Sequence, residues 1–182
     1  MPITAFALGS WQIYRLEWKT DLIARYEDRL VRPPLPLPPK IDLDALEDFD
    51  YRRITAVGRY RHSGEMLLGP RIYEGENGFQ VITPLDRPNG ASTILVNRGW
   101  IPKDMARQED RSPDALPSGE VEVHGLLRGH HVWKKNMFTP DNRPDKGEFY
   151  FPDIKEMANL VGAQPVWVEE TTGLFPFPFP FH

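Results

Sequence analysis

The stretch STILVNRGWIP, residues 92–102, begins as a strand for the protein interior and ends in Asn97, Arg98, Gly99 and Trp100. Side chains in a strand alternate between faces. Val96, Arg98 and Trp100 are therefore expected on one face, and Leu95, Asn97, Gly99 and Ile101 on the other. Two readings of that pattern are open. Either the Arg98 guanidinium lies on the Trp100 indole and stabilises the fold by about 0.5–1 kcal/mol, or about 2 when desolvated, or the pair forms one edge of a binding site. Gly99 marks a bulge or a place where another backbone or a planar ligand comes close.

Outward from this strand, turn residues punctuate a series of similar runs. Strands are predicted over 51–62, 65–72, 78–85, 93–101, 121–128 and 166–170. YEGENG (73–78) and RPNG (87–90) read as tight connections between them. Consecutive hairpins favour an antiparallel sheet or a partial barrel over a doubly wound parallel fold. One short helix is expected in PDIKEMANLVG. Asp153 caps it, Glu156 reaches back from the first turn, Ile154, Met157, Leu160 and Val161 form its apolar side, and Gly162 ends it. Between the last two strands, residues 130–151 read as a structured loop rich in aromatics.

The N-terminal third follows a different period. Trp11, Tyr14, Trp18, Leu22, Tyr26 and Leu30 recur every three or four residues, drawing an apolar stripe on a long helix expected to face a core. RPPLPLPPK (32–40) must end that helix and is expected to run as an extended polyproline connector along the surface. The chain thus divides into a helix over 1–32, a proline-rich connector over 33–48, a β-rich domain over 49–172 and a Phe-Pro tail over 173–182. The fold class is α+β: an antiparallel sheet or partial barrel of about six strands, a long amphipathic helix and one short helix.

Composition removes several functions. The chain has 182 residues and no cysteine, which excludes disulfides, thiol catalysis and cysteine-ligated zinc or iron–sulfur sites. A net charge of −4 and a pI near 5.7 argue against nucleic acid as a partner. No nucleophile elbow, phosphate-binding glycine loop or paired-histidine zinc helix is present, so an enzymatic role has no motif behind it. Histidines 62, 124, 130, 131 and 182, with Met66, Met105, Met137 and Met157, are the candidate metal or haem-iron ligands. Adjacent His130 and His131 need a bend or loop to converge on one ion. The carboxylate pairs Glu74/Glu76 and Glu169/Glu170 fall on turns and strand ends and read as solvated.

Two motifs in order carry a resemblance. Gly9, Trp11, Gln12, Arg15, Trp18 and Lys19 lie in LGSWQIYRLEWKTDLI, and Val96 to Pro102 form VNRGWIP; FDYRRITAVGRYRH and VWVEE accompany them. Together they resemble the Surfeit-locus (Shy-type) family of cytochrome c oxidase assembly factors. MFTPDNRP and GEFYFPDI are most similar to mitochondrial, especially fungal, members. The resemblance implies an assembly factor that helps mature the catalytic subunit of cytochrome c oxidase, linked to delivery or insertion of haem a. Its implied partners are the nascent catalytic subunit and other assembly factors. It further implies two membrane helices flanking a domain in the intermembrane space, or the periplasm in bacteria, so the chain is expected to start at the tail of the first helix and stop before the second.

Arg98 and Trp100, with His130 and His131, become candidates for haem contact, Arg98 through a propionate. Trp11, Gln12, Arg15, Trp18, Lys19, Asn97 and Gly99 become candidates for partner contact, with Arg15 and Lys19 one turn apart and suited to lipid headgroups or an acidic patch. The family's Asn-Asn-His-Leu-like stretch is not in this sequence, so no histidine here inherits its role as a ligand. A copper-handling protein and a scaffold-only interaction domain are the alternative readings.

Overall fold

A computed structural model describes residues 2–129, 137 and 139–171. By internal contacts the chain forms two units, Met1–Pro33 and Pro34–His182. The first is one helix, α1 (Pro2–Val31), of 30 residues. Its predicted stripe is present but does not face a core: Trp11 is 50% exposed, Tyr14 72% and Trp18 52%. Periodicity shows that one side of a helix is apolar, not what covers it, and here the core-facing expectation is corrected. The side chains of Leu22 and Tyr26 lie outside the described residues. No described helix is long and apolar enough to cross a membrane.

The second unit is built on one sheet. Its strands are β1 (Leu35–Pro36), β2 (Arg53–Tyr60), β3 (Met66–Tyr73), β4 (Glu76–Asp86), β5 (Ile94–Pro102), β6 (Glu120–Arg128), β7 (Glu148–Phe149) and β8 (Trp167–Glu170), with α2 (Ile154–Val161) before the last. They lie in the order β1-β2-β6-β8-β5-β4-β3-β7, and a further pairing joins β2 to β4 through Arg59↔Asp86 and Tyr60↔Leu85. That pairing closes β2, β6, β8, β5 and β4 into a five-stranded ring, with β1, β3 and β7 outside it.

The expectation of about six antiparallel strands is corrected to eight in a mixed sheet. β1 pairs with β2, β3 with β7 and β5 with β8 in parallel. The two strands missing from the sequence reading are two residues long, too short for any period to show. The parallel β5–β8 pair depends on a long crossover, which includes β6 and α2.

Alternation along β5 and β8 fills two cores. Ile94, Val96, Val166 and Val168 join Ile54, Tyr60 and Leu85 in one cluster; Leu95 and Trp167 join Met66, Phe149, Ile154 and Met157 in the other. Helix α2 therefore covers one side of strands whose other side is also buried. Its cap forms as predicted, with Asp153 accepting from the Glu156 N–H and the helix ending at Gly162. The proline stretch is fastened to the sheet: Arg87 donates to the carbonyls of Leu37, Pro38 and Pro39 as well as of Ser92. One guanidinium thus holds a segment whose prolines have no N–H of their own to offer.

Candidate functional site

Strand β5 carries the most distinctive motif, and its backbone departs from simple alternation. Against β4, Ile82 pairs with Asn97 and Gln80 with Trp100, so three steps on β5 oppose two on β4. The extra residue makes a bulge at Arg98 and Gly99. Gly99 has φ +117, a conformation that strains any residue bearing a Cβ, and its N–H is met by the Asn97 side chain at 3.2 Å.

The bulge separates the two side chains that alternation had placed together. Arg98 stacks on Tyr60, 4.4 Å from the ring centroid, and donates to the Ala115 carbonyl at 2.9 Å. Trp100 turns to the β3–β4 hairpin instead. Its Nε1 donates to the Arg71 carbonyl at 3.0 Å, and its ring lies 5.5 Å from that of Tyr73. The indole also covers Gly78, where a Cβ would meet ring carbons at 2.4 Å. The expected Arg98–Trp100 stack is thus replaced by an Arg98–Tyr60 stack, and Gly99 is the bulge residue.

Two adjacent carboxylates of β8, read from the sequence as solvated, are in fact enclosed. Glu170 accepts from the Tyr60 hydroxyl at 3.0 Å and lies 3.8 Å from Arg98 Nε. Glu169, leaving the other face, lies 3.5 Å from Arg128 Nη1; Arg128 in turn stacks 3.9 Å over Tyr51 and sits 3.8 Å from Asp50. Burial pushes the Glu170 carboxyl up, with Arg98 and the Tyr60 hydroxyl opposing. Burial also raises Glu169, against the pull of Arg128 and with the charge of Asp50 adding to the rise. The Tyr60 hydroxyl is raised by burial and then by Glu170. The available signal was the alternation of VWVEE: Val166 and Val168 are core residues, so Glu170 continues an inward row and Trp167 and Glu169 the other buried face.

The segment between β5 and β6 closes over this centre. Arg111 pairs with Glu65 at 2.8 Å with both side chains buried, Gln108 donates to the His62 carbonyl, and His62 Nε2 meets the Pro117 carbonyl at 2.9 Å. With the Arg98–Ala115 bond, these contacts tie β2, β3, β5 and the covering segment together. Arg98, Arg111 and Arg128 are thus answered by carboxylates, rings and carbonyls, although the Nε atoms of Arg98 and Arg128 are buried without a hydrogen bond.

The remaining predicted site residues fall elsewhere. Asn97 is 1% exposed and Gly99 is buried, so both shape β5 from within. His130 and His131 lie outside the described residues, as does His182. His62 belongs to the covering segment's contacts, and His124 on β6 lies 3.7 Å from Glu122. Among the described residues no three histidines or carboxylates are grouped to hold a metal ion. On α1, by contrast, Trp11, Gln12, Arg15, Trp18 and Lys19 are all exposed, and the Arg15 guanidinium lies 5.2 Å from the Trp11 ring centroid.

Both motifs thus sit in ordered elements, one on an exposed helix and one at the centre of the sheet. The sequence pattern of the SURF1 family matches residues 1–176 of the chain. This chain belongs to the SURF1 family. Among family members, Surfeit locus protein 1 of Mus musculus is 33% identical over 183 residues, covering 93% of this chain and 58% of the mouse protein. The cytochrome oxidase assembly protein SHY1 of Saccharomyces cerevisiae is 36% identical over 174 residues, covering 91% of this chain and 43% of the yeast protein. Surfeit locus protein 1 of Takifugu rubripes is 35% identical, with 75% of its length covered. The chain therefore spans little more than half of the mouse member and less than half of the yeast one.

Proposed function

We propose that this chain acts in cytochrome oxidase assembly, the role stated in the name of its yeast relative, by docking the nascent catalytic subunit and other assembly factors through α1. The observation that carries the reading is the exposure of the first family motif: Trp11 and Trp18 present half their surface beside Arg15 and Lys19. Exposed tryptophans with arginine beside them are the residue types that dominate protein interfaces. The role is non-catalytic, in keeping with a centre whose acids are answered by arginines. The setting is the mitochondrial inner membrane, with this domain in the intermembrane space and membrane helices of the longer family members as anchors.

Haem a enters as cargo of the same route. Arg98 is not its contact: a propionate clamp there would have to displace Tyr60, Glu170 and the Ala115 carbonyl, and Arg98 is 6% exposed. Its iron ligand is assigned to the histidine of the family stretch that this sequence lacks, with His130 and His131 as the alternatives within the chain.

The test is capture of newly made catalytic subunit by tagged protein in mitochondria translating under a pulse label. Wild type captures the subunit, and the Trp11→Ala, Trp18→Ala double variant captures none above background. Equal capture by both would overturn docking through α1.

A further inference from the structure

The second motif builds a surface that the proposed role of α1 leaves unused. Strand β7 covers the outer edge of β3 only opposite Leu67 and Leu68. From Gly69 to Tyr73 that edge has no strand beside it among the described residues. A cleft of about 590 Å³ opens there, walled by Leu67, Phe79, Phe149 and Tyr150. Its size falls in the range of about 300–1,000 Å³ typical of ligand sites. Ile72, farther along the same strand, is 75% exposed.

The VNRGWIP strand and the residue after it shape this cleft. The Gly99 bulge swings Trp100 onto Gly78, which lines it, and Lys103, directly after Pro102, stands at its rim. Charge in the cleft is unbalanced. Glu148 is matched by Arg143 at 3.6 Å and accepts from the Tyr150 hydroxyl at 3.0 Å, whereas the Lys103 ammonium has no ion pair or hydrogen bond among the described residues. We propose that the cleft binds an extended apolar segment of a partner polypeptide, with a carboxylate on that segment meeting Lys103.

A polypeptide suits the observations better than a lipid surface. One lysine is not the cluster of basic residues that anionic membranes attract, and an open strand edge is what extended chains lie against. Pro70 brings no N–H, so the edge offers only a short backbone ladder, and side chains in the cleft supply most of the recognition.

The test uses the full chain, isotope-labelled for nuclear magnetic resonance. Three blocked peptides of sequence Phe-Leu-Phe-X are titrated in, with X as Asp, Asn or Lys, and decanoate serves as the lipid-like probe. The expected result is saturable shifts at Phe79, Phe149, Tyr150 and Lys103, with the Asp peptide binding about fivefold tighter than the Asn peptide, the upper range for an exposed ion pair. Lys103→Glu, a change at an exposed position that keeps the folded spectrum, reverses the order in favour of the Lys peptide, and Leu67→Trp fills the cleft and removes all binding. Equal affinity for the Asp and Asn peptides, shifts mapping away from the cleft, decanoate binding tighter than any peptide, or no saturation at millimolar peptide would each overturn the proposal. Lys103→Glu leaves α1 untouched, so subunit capture through α1 and peptide binding in the cleft succeed or fail separately.

Discussion

Arg98 is held on three sides, by the Tyr60 ring, the Glu170 carboxylate and the Ala115 carbonyl. Its removal would leave a buried carboxylate without a counter-charge, so Arg98→Ala is expected to cost about 3–5 kcal/mol. Arg98→Lys keeps the charge but loses the planar stack and the fork, and is expected to cost about 1–2 kcal/mol. Urea unfolding followed by tryptophan fluorescence distinguishes the two; equal losses would mean that the ion pair contributes nothing. Gly99→Ala forces a Cβ onto φ +117 and should cost about 1–3 kcal/mol in the same assay. At this scale the sequence was legible in residue type and misleading in direction. Alternation placed Arg98 with Trp100, and only a one-residue bulge, which a lone glycine suggests but does not locate, sends them apart. Glu169 and Glu170 looked solvated because two acids at a strand end usually are; their arginine partners come from β5 and β6, 72 positions (98 to 170) and 41 positions (128 to 169) away in the chain.

The elements themselves were legible where a period could run. All six predicted strands form, and α2 starts and stops at its predicted cap and glycine. Helix α1 was legible as a helix with a stripe, but the side facing away from water was assumed. Since Trp11 and Trp18 are exposed, replacing both with alanine should change the unfolding free energy of the β-rich unit by no more than about 0.5 kcal/mol. A matched pair of denaturation curves checks this, and a large loss would mean that the stripe is core after all. The short strands β1 and β7 were not legible, because each is defined by its neighbour rather than by its own two residues.

For the molecule as a whole, strand β8 buries two acids, one on each face, whose affinity for protons is raised by folding. The folded state therefore takes up these protons first as the pH falls. Stability gained from Glu169 and Glu170 grows from their raised values down to the unfolded-chain value near about 4.3 and is constant below it. Wild type should accordingly lose less stability on mild acidification than the Glu169→Gln, Glu170→Gln double variant, measured as urea midpoints across a pH series. Identical slopes would contradict the assignment of those shifts.

Family membership was legible through the two motifs and their order, and the geometry separates the motifs: the helix motif is exposed, while the strand motif lies inside the sheet beside a cleft. Oxidase assembly is the role proposed for the exposed helix motif. The most direct measurement is the reduced-minus-oxidised absorbance spectrum of mitochondrial membranes from cells whose only copy carries Trp11→Ala and Trp18→Ala at unchanged protein level. A selective loss of the cytochrome a band is expected, with cytochromes b and c retained; an unchanged cytochrome a band would rule that role out.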